Sequence, residues 1–585
     1  MRTVSLFGYT IALMQDRSGQ SLNLLPHPRQ LRRHEETAPF PSALKLSVDS
    51  GLPPQGYHLS ISPTGVDIRA ADRAGLFYAQ KTFDQIRRQS PWRLPCLEIH
   101  DWPDFPVRGV MLDISRDKVP TMTTLFDLID KLASWKINHL QLYTEHTFAY
   151  ADHADVWQNA SPITAEEISA LDAYCRDRFI ELVPNQNSFG HMERWLKLPR
   201  YRHLAEVTDG AETPWGFRWK GPFSLCPTDP AAIEFLANLY NELLPNFTSR
   251  LFNVGCDETF DIGQGRSRAE AERIGKTRLY LEFLKKVHAL VQKHGRTMMF
   301  WGDIIIDEPK LISELPRPIV ALEWGYEADH PFDNDGRLFA ESGVPFFVCP
   351  GTSSWLSIAG RTDNMLANQR AAAANGRKHG AIGFLNTDWG DHGHLQYLPI
   401  SYPGFAAGAA ASWCEEANRD LDLPAVLNVH AFEDPADVLG KLACDLGNVY
   451  QSVGKLMKNS SALFRILIPS STHKDPLEGI TLDNLRSAES VIDKAMSRLP
   501  DSRADNLTKD EFSNAAAMLR HACRRGMWKL DPTSQSTTQL ADDIAIIIAE
   551  HRRLWLARNR TGGLDDSAAR LEANLAEYVG MPNSK

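Results

Sequence analysis

From residue 108 to residue 389 the chain repeats one pattern, a short apolar run followed by a longer stretch with helical spacing. Eight such runs occur, over 108–115, 139–145, 180–186, 251–258, 297–303, 319–324, 344–349 and 381–389. Most are continuously apolar rather than alternating, as strands buried on both faces are. Between them, 123–135, 165–178 and 231–244 place apolar residues three and four apart, which predicts amphipathic helices. Eight strand–helix units in succession predict a (β/α)8 TIM barrel, because a doubly wound sheet seldom uses eight uniform units. Ahead of the barrel, 57–61 alternates towards Pro63-Thr64-Gly65 and 66–68 alternates back, a hairpin pattern. Residues 74–88 then offer Leu76, Phe77, Ala79, Phe83 and Ile86 to one helical face. Pro103 and Pro106 mark a boundary. Past residue 420 the strand runs stop. Residues 438–456, 508–530 and 540–558 predict helices, with Thr508 and Glu511 spaced as a capping box. The expected organisation is a loose leader (1–22), a small α/β domain (23–104), the barrel (105–420) and a helical C-terminal region (421–585).

The C-terminal ends of the runs carry the polar chemistry. They offer Glu145 and His146; Asn185, Gln186 and His191; Asp257 and Glu258; Trp301 and Asp303; Trp324; Trp355; and Asp388, Trp389 and Asp391. That rim is where a barrel keeps its active site. Asp257 and Glu258 are adjacent at the mouth of a buried run, where unpaired carboxylates are costly. Alternate strand residues point to opposite sides, so only a strand end or a bend aims both at one ligand. The bland reading, an acidic pair opening a helix, has weight because carboxylates favour a helix N-terminus. His191 follows a glycine on a rim loop. Four tryptophans at strand ends suit the walls of a pocket for the apolar face of a sugar ring.

Composition narrows the class. At 585 residues the chain exceeds one ordinary core. A net charge of −10 without a Lys/Arg block argues against nucleic acid as partner. No run of eighteen apolar residues exists, so no membrane span is expected. Residues 3–14 are only weakly apolar and lack a cleavage site, which reads as a non-signal. The eight cysteines are scattered without a CxxC, which predicts buried free thiols and favours a reducing, cytoplasmic location. Asp391-His392-Gly393-His394 comes nearest to a metal-ligand spacing and falls short of one, so neither metal nor cofactor is expected.

These motifs in this order resemble glycoside hydrolase family 20, the β-N-acetylhexosaminidases. Arg108-Gly109-Val110-Met111-Leu112-Asp113 resembles the family's first barrel strand, and Gly255-Cys256-Asp257-Glu258 its Gly-x-Asp-Glu signature. Phe300-Trp301-Gly302-Asp303 resembles the fifth-strand Trp motif and Trp389-Gly390-Asp391 the last-strand motif. The stretch 24–89 resembles the small domain that precedes the family's barrel, so the resemblance spans 24–420.

The resemblance implies an exo-acting, retaining β-N-acetylhexosaminidase. Its substrate would be an oligosaccharide or glycoconjugate ending in a β-linked N-acetylhexosamine. Catalysis would be substrate-assisted: the 2-acetamido oxygen attacks the anomeric carbon and forms an oxazolinium intermediate, with no enzyme nucleophile. Glu258 would be the general acid and then the base, and Asp257 would hold the acetamido N–H. Arg108 and Asp391 would bind sugar hydroxyls, Trp301, Trp324, Trp355 and Trp389 would line the pocket, and His191 with Glu145 would support the acid. The sequence departs from the pattern where the family's Tyr-Leu-Asp appears as Trp355-Leu356-Ser357, with Tyr326 and Tyr397 as replacement donors. Asn185 and Gln186 stand where acidic residues are common, and Asp391 replaces a longer Glu, which leaves both N-acetylglucosaminides and N-acetylgalactosaminides open. A catalytically inactive carbohydrate-binding barrel is the rival reading. The C-terminal helices are expected to cover a barrel face or to build a homodimer interface.

Overall fold

The computed structural model describes residues 22–90, 92–469 and 475–580. The expected leader, Leu22 apart, lies outside them. The chain divides into two compact units after Pro103.

The first unit is a five-stranded sheet with one helix. Strands β1 (Gln30–Ala38), β2 (Lys45–Val48), β3 (Tyr57–Ser62), β4 (Gly65–Ala70) and β5 (Leu94–Asp101) stand in the order β1-β5-β3-β4-β2, all antiparallel except β2 with β4. The alternation of 57–61 is the alternating burial of β3, and Ser62 pairs Gly65 across the expected hairpin turn. Helix α1 (Arg73–Gln89) starts where the Asp72 side chain accepts from Gly75 N. It buries Gly75, Tyr78, Ala79, Thr82, Phe83 and Ile86, a three-and-four stripe. Leu76 and Phe77 sit half-buried on its flanks.

The second unit holds the barrel. Its parallel strands are β6 (Val107–Asp113), β7 (His139–Tyr143), β8 (Glu181–Val183), β9 (Leu251–Asn253), β10 (Thr297–Trp301), β11 (Ile319–Trp324), β12 (Phe346–Cys349) and β13 (Gly383–Asp388). Each pairs with the next except β8 with β9, β13 pairs with β6, and between β8 and β9 a single bridge, Asn185 with Asn253, closes the ring. The outer helices are α2 (Met122–Ser134), α3 (Ala165–Arg176), α4 (Pro230–Leu243), α5 (Lys276–Lys293), α6 (Phe332–Ser342), α7 (Thr362–Lys378) and α8 (Leu398–Trp413). After β10 only a short helix, Asp303–Ile306, and a 3-10 segment, Pro309–Glu314, take the helix position.

Beyond the barrel, α9 (Leu482–Met496), α10 (Asn506–Leu530), α11 (Thr537–Arg558) and α12 (Leu564–Tyr578) complete the unit. The expected helix over 438–456 is two short ones, Leu439–Leu446 and Val449–Ser452, separated at Gly447 and ended before Gly454, which has φ 78°. The expected capping box at Thr508 is not formed. Asp505, three residues earlier, caps α10 by accepting from Thr508 N at 2.9 Å, and Glu511 turns away to pair with Arg558. Helix α8 is buried all round, because the barrel lies on one side and C-terminal helices on the other. The end of α11 clasps the loop that follows β6: Arg558 O accepts from Thr121 N and Arg560 N donates to Val119 O. Lys118 in that loop donates to Gln396 O and lies 4.9 Å from the Trp555 ring centroid. All eight cysteines are free, seven of them buried. No helix among the described residues is long and apolar enough to cross a membrane.

Candidate active site

The carboxylate pair lies past the end of β9, not on it. The apolar run reaches Glu258, but pairing stops at Asn253 because the backbone turns: Gly255, Cys256 and Glu258 have φ of 67°, 72° and 50°. Left-handed residues other than glycine are uncommon and collect at functional sites. The turn breaks the alternation of the strand and brings both carboxylates to one ring. His191 Nε2 lies 3.2 Å from Asp257 Oδ2 and 3.4 Å from Glu258 Oε2. His191 itself has φ 57°, and Gly190 before it packs so closely that a Cβ there would meet Asp257 O at 2.5 Å. Burial alone would lower the imidazole pKa, but the charge and hydrogen bonding of Asp257 and Glu258 hold it well above its ordinary value. His191 is seated between the pair, whose charges favour its protonated form. Glu145 lies on its far side, 3.9 Å from Nδ1, and is held by Tyr143 Oη at 2.9 Å.

The arginine of the site is Arg116. It reaches Asp113 Oδ2 at 3.0 Å, Asp391 Oδ1 at 2.9 Å and Glu145 Oε1 at 3.6 Å, and its Nη2 lies 3.4 Å from His191 Nδ1. The rings of Tyr143 and Trp389 are each centred 4.8 Å from its guanidinium carbon. Arg108 is not brought to the site. It opens β6 at the opposite end of the barrel, wholly buried, donating to Lys136 O and Phe105 O. The signal that separates the two was position. Chemistry collects at the C-terminal ends of barrel strands, and Arg116 stands three residues past the last residue of β6 whereas Arg108 is near its start. That last residue, Asp113, orders the rim: its Oδ1 accepts from Ser115 N and Arg116 N, its Oδ2 from Gly390 N.

Trp301, Trp324, Trp389 and Tyr326 form an aromatic cage. Trp301 and Trp389 are centred 6.0 Å apart, Trp389 meets Tyr143 edge-on at 4.6 Å, and Trp324 stacks on Tyr326 at 5.1 Å. Trp389 Nε1 donates to Tyr326 Oη at 2.8 Å. Trp355 stands one layer behind, its indole at right angles to Tyr326 and its Nε1 donating to Asn459 Oδ1. Of the two replacement donors, Tyr326 is therefore the one in the cage. Tyr397 points elsewhere, to Asn514 and His551 beneath the C-terminal helices. Ser357 is turned inward, donating to Ser354 O. Asn185 and Gln186 serve the barrel interior, bonded to Gln141 and to the Glu145 and Asn187 carbonyls.

Asp257 is buried, and its Oδ1 has no hydrogen-bond partner among the described residues. It is close enough for its charge to act on Tyr143 and Tyr326. Asp303, which opens the short helix after β10, accepts from Glu258 N at 3.0 Å. Burial, and then the charge of Asp257, push its carboxyl up to about 8. Burial also raises Glu145 and Asp391, with Arg116 pulling both down. Among the described residues, Glu323, His330 and Asp335 have ligand-type spacing for a metal, but they lie on β11, on the connection after it and on α6, and include none of these groups.

Comparison with known proteins bears on family and fold. The model of the glycosyl hydrolase family 20 catalytic domain matches residues 105–423, and that of the family's domain 2 matches 18–102. A beta-hexosaminidase of Akkermansia muciniphila is 26% identical over 310 residues, covering 48% of this chain and 62% of the relative. A lacto-N-biosidase of Bifidobacterium bifidum is 25% identical over 297 residues, covering 48% of this chain and 25% of the relative. The chain thus spans less than two thirds of the length of these curated relatives. Among solved structures, a beta-N-acetylhexosaminidase aligns with TM-score 0.58 and 21% identity over 70% of this chain and 96% of its own. The Flavobacterium johnsoniae chitobiase aligns with TM-score 0.57 and 16% identity over 91% and 97%. Both show the barrel fold.

Proposed function

The chain belongs to glycosyl hydrolase family 20, and from that premise we propose that it is an exo-acting, retaining β-N-acetylhexosaminidase that uses the substrate's acetamido group as nucleophile. One observation carries the reading. A buried carboxylate, Asp257, keeps an unpartnered oxygen beside an aromatic cage, next to a second carboxylate whose side chain is 29% exposed. An acetamido group fits that arrangement. Its N–H satisfies Asp257 Oδ1, its methyl fills the indole-lined space, and Tyr326 Oη donates to its oxygen as it becomes the nucleophile. Held there, the oxygen attacks the anomeric carbon with the advantage of an intramolecular reactant. Asp257 then stabilises the positive charge on the oxazolinium nitrogen.

Glu258, nearer to solvent, gives its proton to the leaving oxygen and later takes one from the incoming water. Two inversions return the original anomeric configuration. His191 fixes both carboxylates, and Glu145 with Arg116 supports it from behind. Arg116 and Asp391 form the polar end of the pocket and bind ring hydroxyls of the terminal sugar. The Tyr326 hydroxyl in the cage supports an active enzyme over an inactive binding barrel.

Initial rates on chromogenic β-N-acetylglucosaminide, β-N-acetylgalactosaminide and plain β-glucoside test the reading. At least one N-acetylated sugar should be cleaved far faster than the glucoside, which lacks the nucleophile. Equal cleavage of the glucoside would refute the mechanism. The Glu258→Gln variant should lose about 10²–10⁴-fold in kcat, most on poor leaving groups.

A further inference from the structure

The connection from β11 to α6 closes on two carboxylates and an imidazole that the carboxylate pair does not use. His330 Nε2 lies 2.6 Å from Glu323 Oε1 and 3.8 Å from Asp335 Oδ2. One ligand-type atom from each of the three residues falls within 4.8 Å of the other two. Glu323 is the inner wall. Its side chain is 4% exposed, and its Oε2 has no hydrogen-bond partner among the described residues. His330 and Asp335 are half-buried, so the cluster reaches solvent on their side.

A buried carboxylate oxygen without a donor is costly, and so is a second carboxylate facing the same ring nitrogen. The single proton that Nε2 can carry serves one of the two acids. Among the described residues no lysine or arginine pairs with Glu323 or Asp335; nearby, Lys378 goes to Asp333 and Arg361 to Glu327. Even a protonated His330 leaves one negative charge uncompensated. A divalent cation supplies that charge and takes up the orphaned oxygen.

The three groups are held as a ligand set is held. Neighbouring strand residues point to opposite faces, so Glu323 turns to α6 while Trp324 stacks on Tyr326 in the cage. His330 is pressed against the connection, where a Cβ on Gly325 would clash with its ring, and Phe332 meets it edge-on at 4.5 Å. Asn368 Nδ2 holds the connection by donating to Gly325 O and Glu327 O. Asp335 Oδ1 accepts from Asn334 Nδ2, which leaves Oδ2 for the cluster. Ligand atoms of a tetrahedral zinc centre stand about 3.3 Å apart. The separations of 2.6 and 3.8 Å bracket that value.

We propose that Glu323, His330 and Asp335 form a site for a divalent transition-metal ion of the zinc class, with water as the fourth ligand. An imidazole nitrogen with two carboxylates suits zinc better than magnesium or calcium, which take oxygen ligands. Bound there, the ion ties the end of β11 to the first turn of α6 and fixes the connection that carries Tyr326.

The full chain, stripped with a chelator and dialysed, tests the site by calorimetric titration with Zn²⁺ and by amide hydrogen exchange with and without the ion. Wild type should bind Zn²⁺, and exchange over residues 325–330 should slow at least about threefold, whereas Mg²⁺ at the same concentration should do neither. Asp335→Asn and His330→Gln should each weaken Zn²⁺ at least about tenfold and abolish the local protection. Exchange in the rest of the barrel reports that a variant is folded, and one folded variant suffices. Failure of Zn²⁺ to bind the wild type overturns the site. So does binding that a folded variant leaves within about twofold, or that leaves exchange in the connection unchanged, since the ion then sits elsewhere.

Discussion

Asp113, Glu145, Asp257, Glu258, Asp303 and Asp391 face Arg116 and His191 in one enclosed rim. Burial and crowded negative charge favour a carboxyl that keeps its proton. Asp303, pushed up to about 8, is the first such group. An aspartate with a folded pKa above its unfolded value of about 3.9 keeps its proton in the native state after the unfolded chain has released it. Its contribution therefore makes stability fall as pH rises from about 4 to about 8, by at most about 1.4 kcal/mol per pH unit. Asp303→Asn keeps an acceptor for Glu258 N and removes the titration. The fall in unfolding free energy between pH 5 and 8 should be shallower in the variant, and parallel curves would place the proton elsewhere. The two arginines separate as sharply. Arg116→Lys should lower kcat/KM about 100-fold with a near-normal melting temperature, since an ammonium cannot span Asp113, Asp391 and Glu145. Arg108→Ala should instead cost about 2–4 kcal/mol of stability and leave KM unchanged.

Among the elements, the turn after β9 shows where a sequence pattern stops being informative. Apolarity records burial, and Val254, Gly255 and Cys256 are buried past the end of the regular register, where only Val254 N and Gly255 O still bond to β10. The carboxylate pair was legible in its chemistry, but its aim depends on positive φ values that no periodicity encodes. Gly255→Ala is a direct probe. The residue has φ 67°, and its Cβ would lie 1.9 Å from Asn187 Oδ1. Activity should fall more than about tenfold together with stability, because the strain costs about 1 kcal/mol before the clash is counted. The start of α10 shows the same limit on a smaller scale. Asp505 and Thr508 are both good caps by type, and the packing of Glu511 on Arg558 selected the earlier one. Asp505→Ala should cost about 1 kcal/mol in chemical denaturation.

At the scale of the molecule, the helices after residue 420 belong to the barrel's own unit. Helix α8 is apolar on every side, and the end of α11 grips the loop that carries Arg116. A chain cut after residue 420 would expose α8 and release that loop. It should fail to give a folded monomer by circular dichroism and size exclusion, and a stable, active truncated barrel would show that the clasp is dispensable.

The sequence by itself determined the eight strand–helix units, the small α/β unit, the adjacent carboxylates, His191 and the rim tryptophans. Hydrophobic period and residue chemistry are local properties, and each of these features is written within a few neighbouring positions. The tertiary structure alone decided that Arg116 and not Arg108 serves the site, that Tyr326 and not Tyr397 stands in the cage, and that Asp303 accepts from Glu258 N. Those pairings join residues tens to hundreds of positions apart, and closing the ring of strands is what sets the distances between them.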